Sequence, residues 1–310
     1  MFTNVTWLVT NKCGNKCKYC KFVGRRKEAI ADDKGKALSV LSNWPGASER
    51  FIVLLGGDIL WMDSLVPFVV DMNYRNLPYG FQTSATDYDK MLEVLPFLRN
   101  LSISVDGVVS DPDRVKKMMY GIFWAGRALD KGIDVHATIT VDPTNLLQVP
   151  GIVQILSSCG IWSEITFVHW KKSTFDLVPD RKAALQGLFY PEKDLKSVSK
   201  KLLLMKENGV LVHSSKKFLE SWHHVHELDW ECTEPVSCVI DTDLSMRLCL
   251  HLPGRKVRKW SIFDLAEPSS WSRFLKDWNS DATEFCMGCF WDCQFENSMA
   301  DPREWFFHKG

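Results

Sequence analysis

Six short apolar runs, each parted from the next by a longer amphipathic stretch, fill the first 170 residues of the chain. That alternation belongs to strand-helix units and a parallel sheet. The spacing predicts strands over residues 5–10, 51–55, 79–84, 101–105, 134–141 and 164–169, with helices over 33–42, 60–73, 87–98, 111–131 and 145–158. Asp87 and Asp111 have the character of N-caps, and Gly132 of a C-cap. The fold class predicted is α/β: a partial (β/α)6 TIM-like barrel with its chemistry at the C-terminal strand ends. A doubly wound open sheet is the competing architecture.

After residue 169 the pattern loosens, as at a hinge, and then resumes with a helix over 191–208 and a short strand over 210–213. From about residue 216 the chain is rich in Trp, His and Cys, with a hairpin over 237–250 and a helix over 271–278. Weak apolar periodicity there implies that a metal contributes to its folding. The expected division is therefore a core barrel, 1–215, and a small cysteine-rich unit, 216–310. Most of the 13 tryptophans belong in cores or around metal centres. His223, His224 and His226 suit a solvated helix end, and the run PGRKVRK a solvated loop.

The 310 residues carry 38 Lys plus Arg against 38 Asp plus Glu, so no global field steers the protein toward nucleic acid or an anionic membrane. No secretion signal and no apolar run of roughly 18 residues is present, and the default location is cytoplasmic. Clustered thiols in a reducing compartment are metal ligands more often than disulfides. Nine of the ten cysteines form three groups, Cys13/Cys17/Cys20, Cys232/Cys238/Cys249 and Cys286/Cys289/Cys293. Cys159 stands alone after an apolar run and is expected in the core.

Three thiolates at C-x3-C-x2-C, in the loop after the first strand, can wrap one face of a 4Fe-4S cluster and leave one iron open. Structural zinc wants four closed ligands, which this group does not supply. The segment TNKCGNKCKYC resembles the cluster loop of the radical S-adenosylmethionine superfamily, and the order of parts over residues 3 to 170 is similar to that family's. The resemblance implies that the open iron chelates S-adenosylmethionine and that reductive cleavage yields a 5'-deoxyadenosyl radical, which abstracts a substrate hydrogen. It places Tyr19 near the adenine. Gly56-Gly57-Asp58 looks like the family's Gly-Gly-Glu element, with Asp58 against the methionine ammonium. Ser84, Ser104 and Asp106, the last beside Gly107, stand where relatives contact the cofactor or substrate; a simple turn at Asp106-Gly107 is the alternative. Thr138, Thr140 and His169 are candidate pocket residues.

The C-terminal groups resemble the twitch and SPASM extensions of radical enzymes, which hold auxiliary iron-sulfur clusters. One auxiliary 4Fe-4S cluster is expected, with Cys232, Cys249, Cys286 and Cys289 favoured; Cys238 and Cys293 either replace one of these or are spare buried thiols. Leu244 stands where the family has glycine. A zinc knuckle built from the same cysteines is the alternative.

The function implied is hydrogen abstraction from a small metabolite or a peptide, with an electron donor such as flavodoxin or ferredoxin. The cluster loop begins at residue 13, which favours a small or short substrate. The rivals are RNA or nucleotide modification, using Lys12, Lys16, Lys18, Lys21, Arg25 and Arg26 as a phosphate-facing patch, and a non-enzymatic zinc protein.

Overall fold

The structure, a computed structural model, describes residues 4–15, 17, 30–44, 46–107, 111–168, 190–224, 237–247 and 260–285. Six parallel strands lie in sequential order: β1 (Asn4–Thr10), β2 (Phe51–Gly56), β3 (Tyr79–Thr83), β4 (Asn100–Ser104), β5 (Asp134–Val141) and β6 (Trp162–Phe167). Helices α1 (Ala31–Ser42), α2 (Leu65–Tyr74), α3 (Tyr88–Val94), α4 (Pro112–Leu129) and α5 (Val149–Ser158) make the connections. A doubly wound sheet reverses its strand order at a switch point between its helical halves, and no such reversal falls within β1–β6. Right-handed crossovers running in one direction put every helix on the same face and curl the sheet toward a barrel.

The strands sort their side chains accordingly. Val5, Trp7, Ile52, Leu54, Tyr79, Phe81, Leu101, Ile103, Val135 and Ala137 are buried in one apolar core with Leu38, Val69, Trp124 and Val153 of the helices. Alternation sends Thr6, Gln82, Ser102, His136, Thr138 and Glu164 to the opposite, concave face. Trp7 meets Phe68 of α2 edge-on at 5.3 Å.

Local signals behave as their chemistry requires. The Asp87 side chain accepts from Lys90 N, and that of Asp111 from Asp113 N and Arg114 N. Gly132 turns the chain in the left-handed conformation, φ 72°. Helix α2 starts five residues later than its apolar pattern suggested, because Ile59–Trp61 forms a separate 3-10 turn and Ser64 adopts φ 59°. The expected strand at 210–213 is a single bridge, Ser163 to Val212. Cys159 is exposed rather than buried: it caps α5 beyond the last full turn, and Gly160 leads the chain away at φ 74°.

Beyond residue 190 come α6 (Glu192–Glu207) and α7 (Lys216–Glu220), then β7 (Ser237–Ile240), β8 (Ser245–Arg247), β9 (Trp260–Ser261) and α8 (Pro268–Phe285). Strand β7 pairs parallel with β1, Asn4 opposite Ser237, so the described part of the C-terminal third extends the same sheet and core. The β7–β8 turn closes on Leu244, whose φ of 64° is the conformation glycine would supply there. Its 4% exposure shows what the leucine contributes instead, a place in the core. Arg50 lies 5.6 Å from the ring centroids of both Trp44 and Trp271, fastening α8 to the barrel. Tyr19, Cys20, His169, His226 and the hinge after residue 169 lie outside the described residues.

Candidate cluster and cofactor site

The loop leaving β1 crosses the C-terminal end of β2 in close contact. Gly57 N donates to Thr10 O at 2.8 Å, and Asp58 N to Lys12 O at 2.9 Å. A Cβ on Gly56 would lie 2.2 Å from Thr10 O, and one on Gly57 would lie 2.3 Å from Lys12 O. Both glycines are therefore demanded by the approach of the Cys13 loop itself. Gly14 is exposed but lies under the Trp61 side chain, whose ring would have to shift for a Cβ 2.5 Å away.

Cys13 and Cys17 are half-buried and neither carries a disulfide. The backbone N–H of Asn15 reaches Cys13 Sγ at 3.3 Å, and the Asn15 side-chain amide donates to Ser84 Oγ at 2.8 Å. Asp58, 4% exposed, accepts at Oδ1 from Leu60 N at 3.2 Å and Thr83 Oγ1 at 2.6 Å. At Oδ2 it accepts from Ser84 N at 3.1 Å and from Ser84 Oγ. Three predicted elements thus meet at one end of the barrel: the Cys13/Cys17 loop, Gly56-Gly57-Asp58 and Ser84.

The donor set fits a 4Fe-4S cluster as far as it is described. Two thiols sit on a loop held by backbone contacts, and an N–H already reaches one sulfur, the kind of contact that cluster sulfurs accept. The third predicted ligand, Cys20, lies outside the described residues, as does Tyr19 beside it. Among the described residues no group of three or more His, Cys, Asp or Glu could hold a metal.

Asp106 has a different environment from the one expected. Its carboxylate lies 3.5 Å from Arg114, whose Nε donates to the Asp106 carbonyl at 2.7 Å. Arg114 also pairs with Asp142 at 3.0 Å, so this cluster ties the β4 and β5 exits together. Ser104 is half-buried on the concave face.

Deeper on that face, Ser102 and Thr138 hydroxyls are 3.1 Å apart, and Thr138 donates to Glu164 Oε2 at 3.3 Å. His136 Nε2 lies 3.9 Å from the same carboxylate. Burial, with His213 nearby, pushes the His136 pKa down to about 3, so its imidazole is neutral at pH 7. Sequence reasoning found Thr138 but missed Asn15, Ser102, His136 and Glu164. Period-two polarity in DVHATITV and WSEITF was the available signal for His136 and Glu164.

Cys238 is fully buried on β7, where burial raises its thiol pKa to about 12. It packs in the apolar core, paired with Val5 of β1. Cys232, Cys249, Cys286, Cys289 and Cys293 lie outside the described residues. No helix among the described residues is long and apolar enough to cross a membrane.

No protein-family model and no curated protein sequence matches the chain. Solved structures do. Streptococcus suis SuiB bound to S-adenosylmethionine superposes with a TM-score of 0.63 at 12% identity, covering 87% of this chain and 65% of that one. SuiB bound to precursor peptide SuiA gives 0.63 at 13%, covering 87% and 64%. Native anSMEcpe with bound AdoMet and Cp18Cys peptide gives 0.59 at 15%, covering 89% and 83%. The chain spans just under two thirds of the length of SuiB. The fold of sequential parallel strands is thus what this chain shares with the solved structures of SuiB and anSMEcpe.

Proposed function

We propose that the chain is a radical S-adenosylmethionine enzyme. The observation that carries this reading is the loop bearing Cys13 and Cys17, held at the C-terminal end of the first barrel strand by Gly56, Gly57 and Ser84. Cys13, Cys17 and Cys20 would hold a 4Fe-4S cluster. When bound, that cluster and S-adenosylmethionine supply the 5'-deoxyadenosyl radical that removes a substrate hydrogen. Gly56 and Gly57 keep the loop close to the strand ends, Ser84 bonds to it through Asn15, and Ser104 offers a hydroxyl at the exit of β4. The concave face below, with Ser102, Thr138 and Glu164, orients the substrate and limits the entry of water.

The peptides named with SuiB and anSMEcpe favour a peptide substrate over a small metabolite. A flavodoxin- or ferredoxin-type donor would supply the electron, and a cytoplasmic location suits both the cluster and the donor. We assign residues 216–310 as a twitch- or SPASM-like region in which Cys232, Cys249, Cys286 and Cys289, with Cys238 or Cys293 as substitute, bind one auxiliary cluster.

The test is anaerobic iron and sulfide quantification on the reconstituted protein and on a Cys13/Cys17/Cys20 triple alanine variant, with assay for 5'-deoxyadenosine. The expected result is about eight irons per chain, falling to about four with loss of deoxyadenosine. A colourless protein holding zinc would end the proposal.

A further inference from the structure

The family resemblance gives Asp58 the task of holding the methionine ammonium, yet its oxygens are already engaged. A carboxylate offers about four lone-pair sites. Leu60 N and Thr83 Oγ1 occupy two at Oδ1, and Ser84 N and Ser84 Oγ occupy two at Oδ2. Ser84 has a single hydroxyl proton, which goes to Asp58 and leaves its lone pairs to accept from Asn15 Nδ2. Asn15 in turn places its backbone N–H on Cys13 Sγ. The hydrogen bonds therefore run in one direction, from the cysteine loop through Ser84 to a buried charge, and the charge orders the two neutral groups.

A second limb leaves the same carboxylate. Asp58 caps the 3-10 turn Ile59–Trp61, and the turn delivers the Trp61 ring onto Gly14. Aspartate is a preferred N-cap residue. Its short side chain lets one residue cap this turn and hold the end of β3 together.

We propose that Asp58, Ser84 and Asn15 are positioning residues that form a brace for the cluster loop, with Asp58 acting through Ser84 and Trp61 instead of as a ligand of the cofactor. The proposal rests on the reading of residues 11–20 as a cluster loop. It differs from that reading in what it predicts for the loop without metal.

The test uses Ser84→Ala, Ser84→Thr, Asn15→Ala and Asp58→Asn in the full chain. Three quantities are measured: amide hydrogen exchange over residues 11–15 without metal, the anaerobic rate of iron loss to a chelator after reconstitution, and S-adenosylmethionine affinity by calorimetry. Ser84→Ala and Asn15→Ala should speed exchange in the loop and release iron about tenfold faster. Ser84→Thr, which keeps the hydroxyl, should stay near wild type. Asp58→Asn should match Ser84→Ala, and the double variant should be no worse than the more affected single one, as for members of one network. Wild-type exchange and iron retention in both Ser84→Ala and Asn15→Ala would overturn the brace. So would an Asp58→Asn chain that loses about tenfold in S-adenosylmethionine affinity while keeping its iron. A wild-type chain that takes up no iron sinks the functional proposal alone, and the exchange comparison still decides the brace. If Asp58→Asn does not fold, the Ser84→Ala and Ser84→Thr pair carries the test.

Discussion

The crossing of the Cys13 loop over the end of β2 and the concave face of β4–β6 are built on opposite principles. At the first, backbone meets backbone: carbonyls of Thr10 and Lys12 lie against Gly56 and Gly57, and any side chain there is excluded. At the second, side chains meet side chains: Ser102, Thr138, Glu164 and His136 share contacts while their strands stay regular. A site made from backbone fails abruptly when a methyl group is added, whereas a site made from side chains loses one interaction at a time. Gly57→Ala should therefore be strongly destabilising, costing about 3 kcal/mol by overpacking. Gly126→Ala, in α4 with nothing within 4 Å of the added Cβ, should stabilise by about 0.5–1 kcal/mol. Urea denaturation of the two variants measures both, and equal effects would erase the contrast.

The concave face should reveal itself through pH. His136 titrates near 3 in the folded chain against 6.5 as its ordinary value, because burial, aided by His213, disfavours its charged form. Between those values the unfolded chain binds a proton that the folded chain does not, so stability falls as pH drops below about 6.5. From pH 7 to 5 the loss should be about 2 kcal/mol, lessened by Glu164, whose carboxylate 3.9 Å away favours protonation. His136→Gln should flatten the profile in that window. A smaller effect is expected from Thr138→Val, which removes the hydroxyl between Ser102 and Glu164 and should cost about 1 kcal/mol in urea denaturation. If the face serves substrate, the same variant should leave substrate-free S-adenosylmethionine cleavage unchanged while raising the substrate KM.

This division also explains what the sequence disclosed. Strand positions, helix caps and the Gly-Gly-Asp turn were legible because each is a local rule of propensity or spacing. Which backbone approaches the glycines was not legible: the atoms that forbid a side chain at Gly57 belong to Asn11 and Lys12, the latter 45 positions earlier, and only the β1–β2 register brings them together. Asp58 shows the same limit, since its motif suggested a cofactor contact and its partners Thr83 and Ser84 lie at the end of another strand and just past it. Cys159 shows it again: its chain neighbours suggested core, whereas the end of α5 exposes it.

One remaining contact at the loop makes the comparison sharper. Lys12 pairs with Asp63 directly beside the braced backbone, and the lysine cation holds the aspartate below its ordinary carboxylate range through a hydrogen bond and charge attraction. This ion pair resembles part of the brace, because it too joins the Cys13 loop to the segment after β2. Its side chains are 45% and 80% exposed, however, so water and salt screen the attraction, and ordering two mobile side chains offsets what remains. The backbone bonds from Gly57 to Thr10 and from Asp58 to Lys12 do not depend on either charge. Asp63→Asn should therefore leave the urea midpoint, loop hydrogen exchange and iron release at wild-type values at both low and high salt. A salt-dependent loosening of residues 11–15 in that variant would mean that surface charge, rather than the approach of backbone to glycine, holds the loop in place.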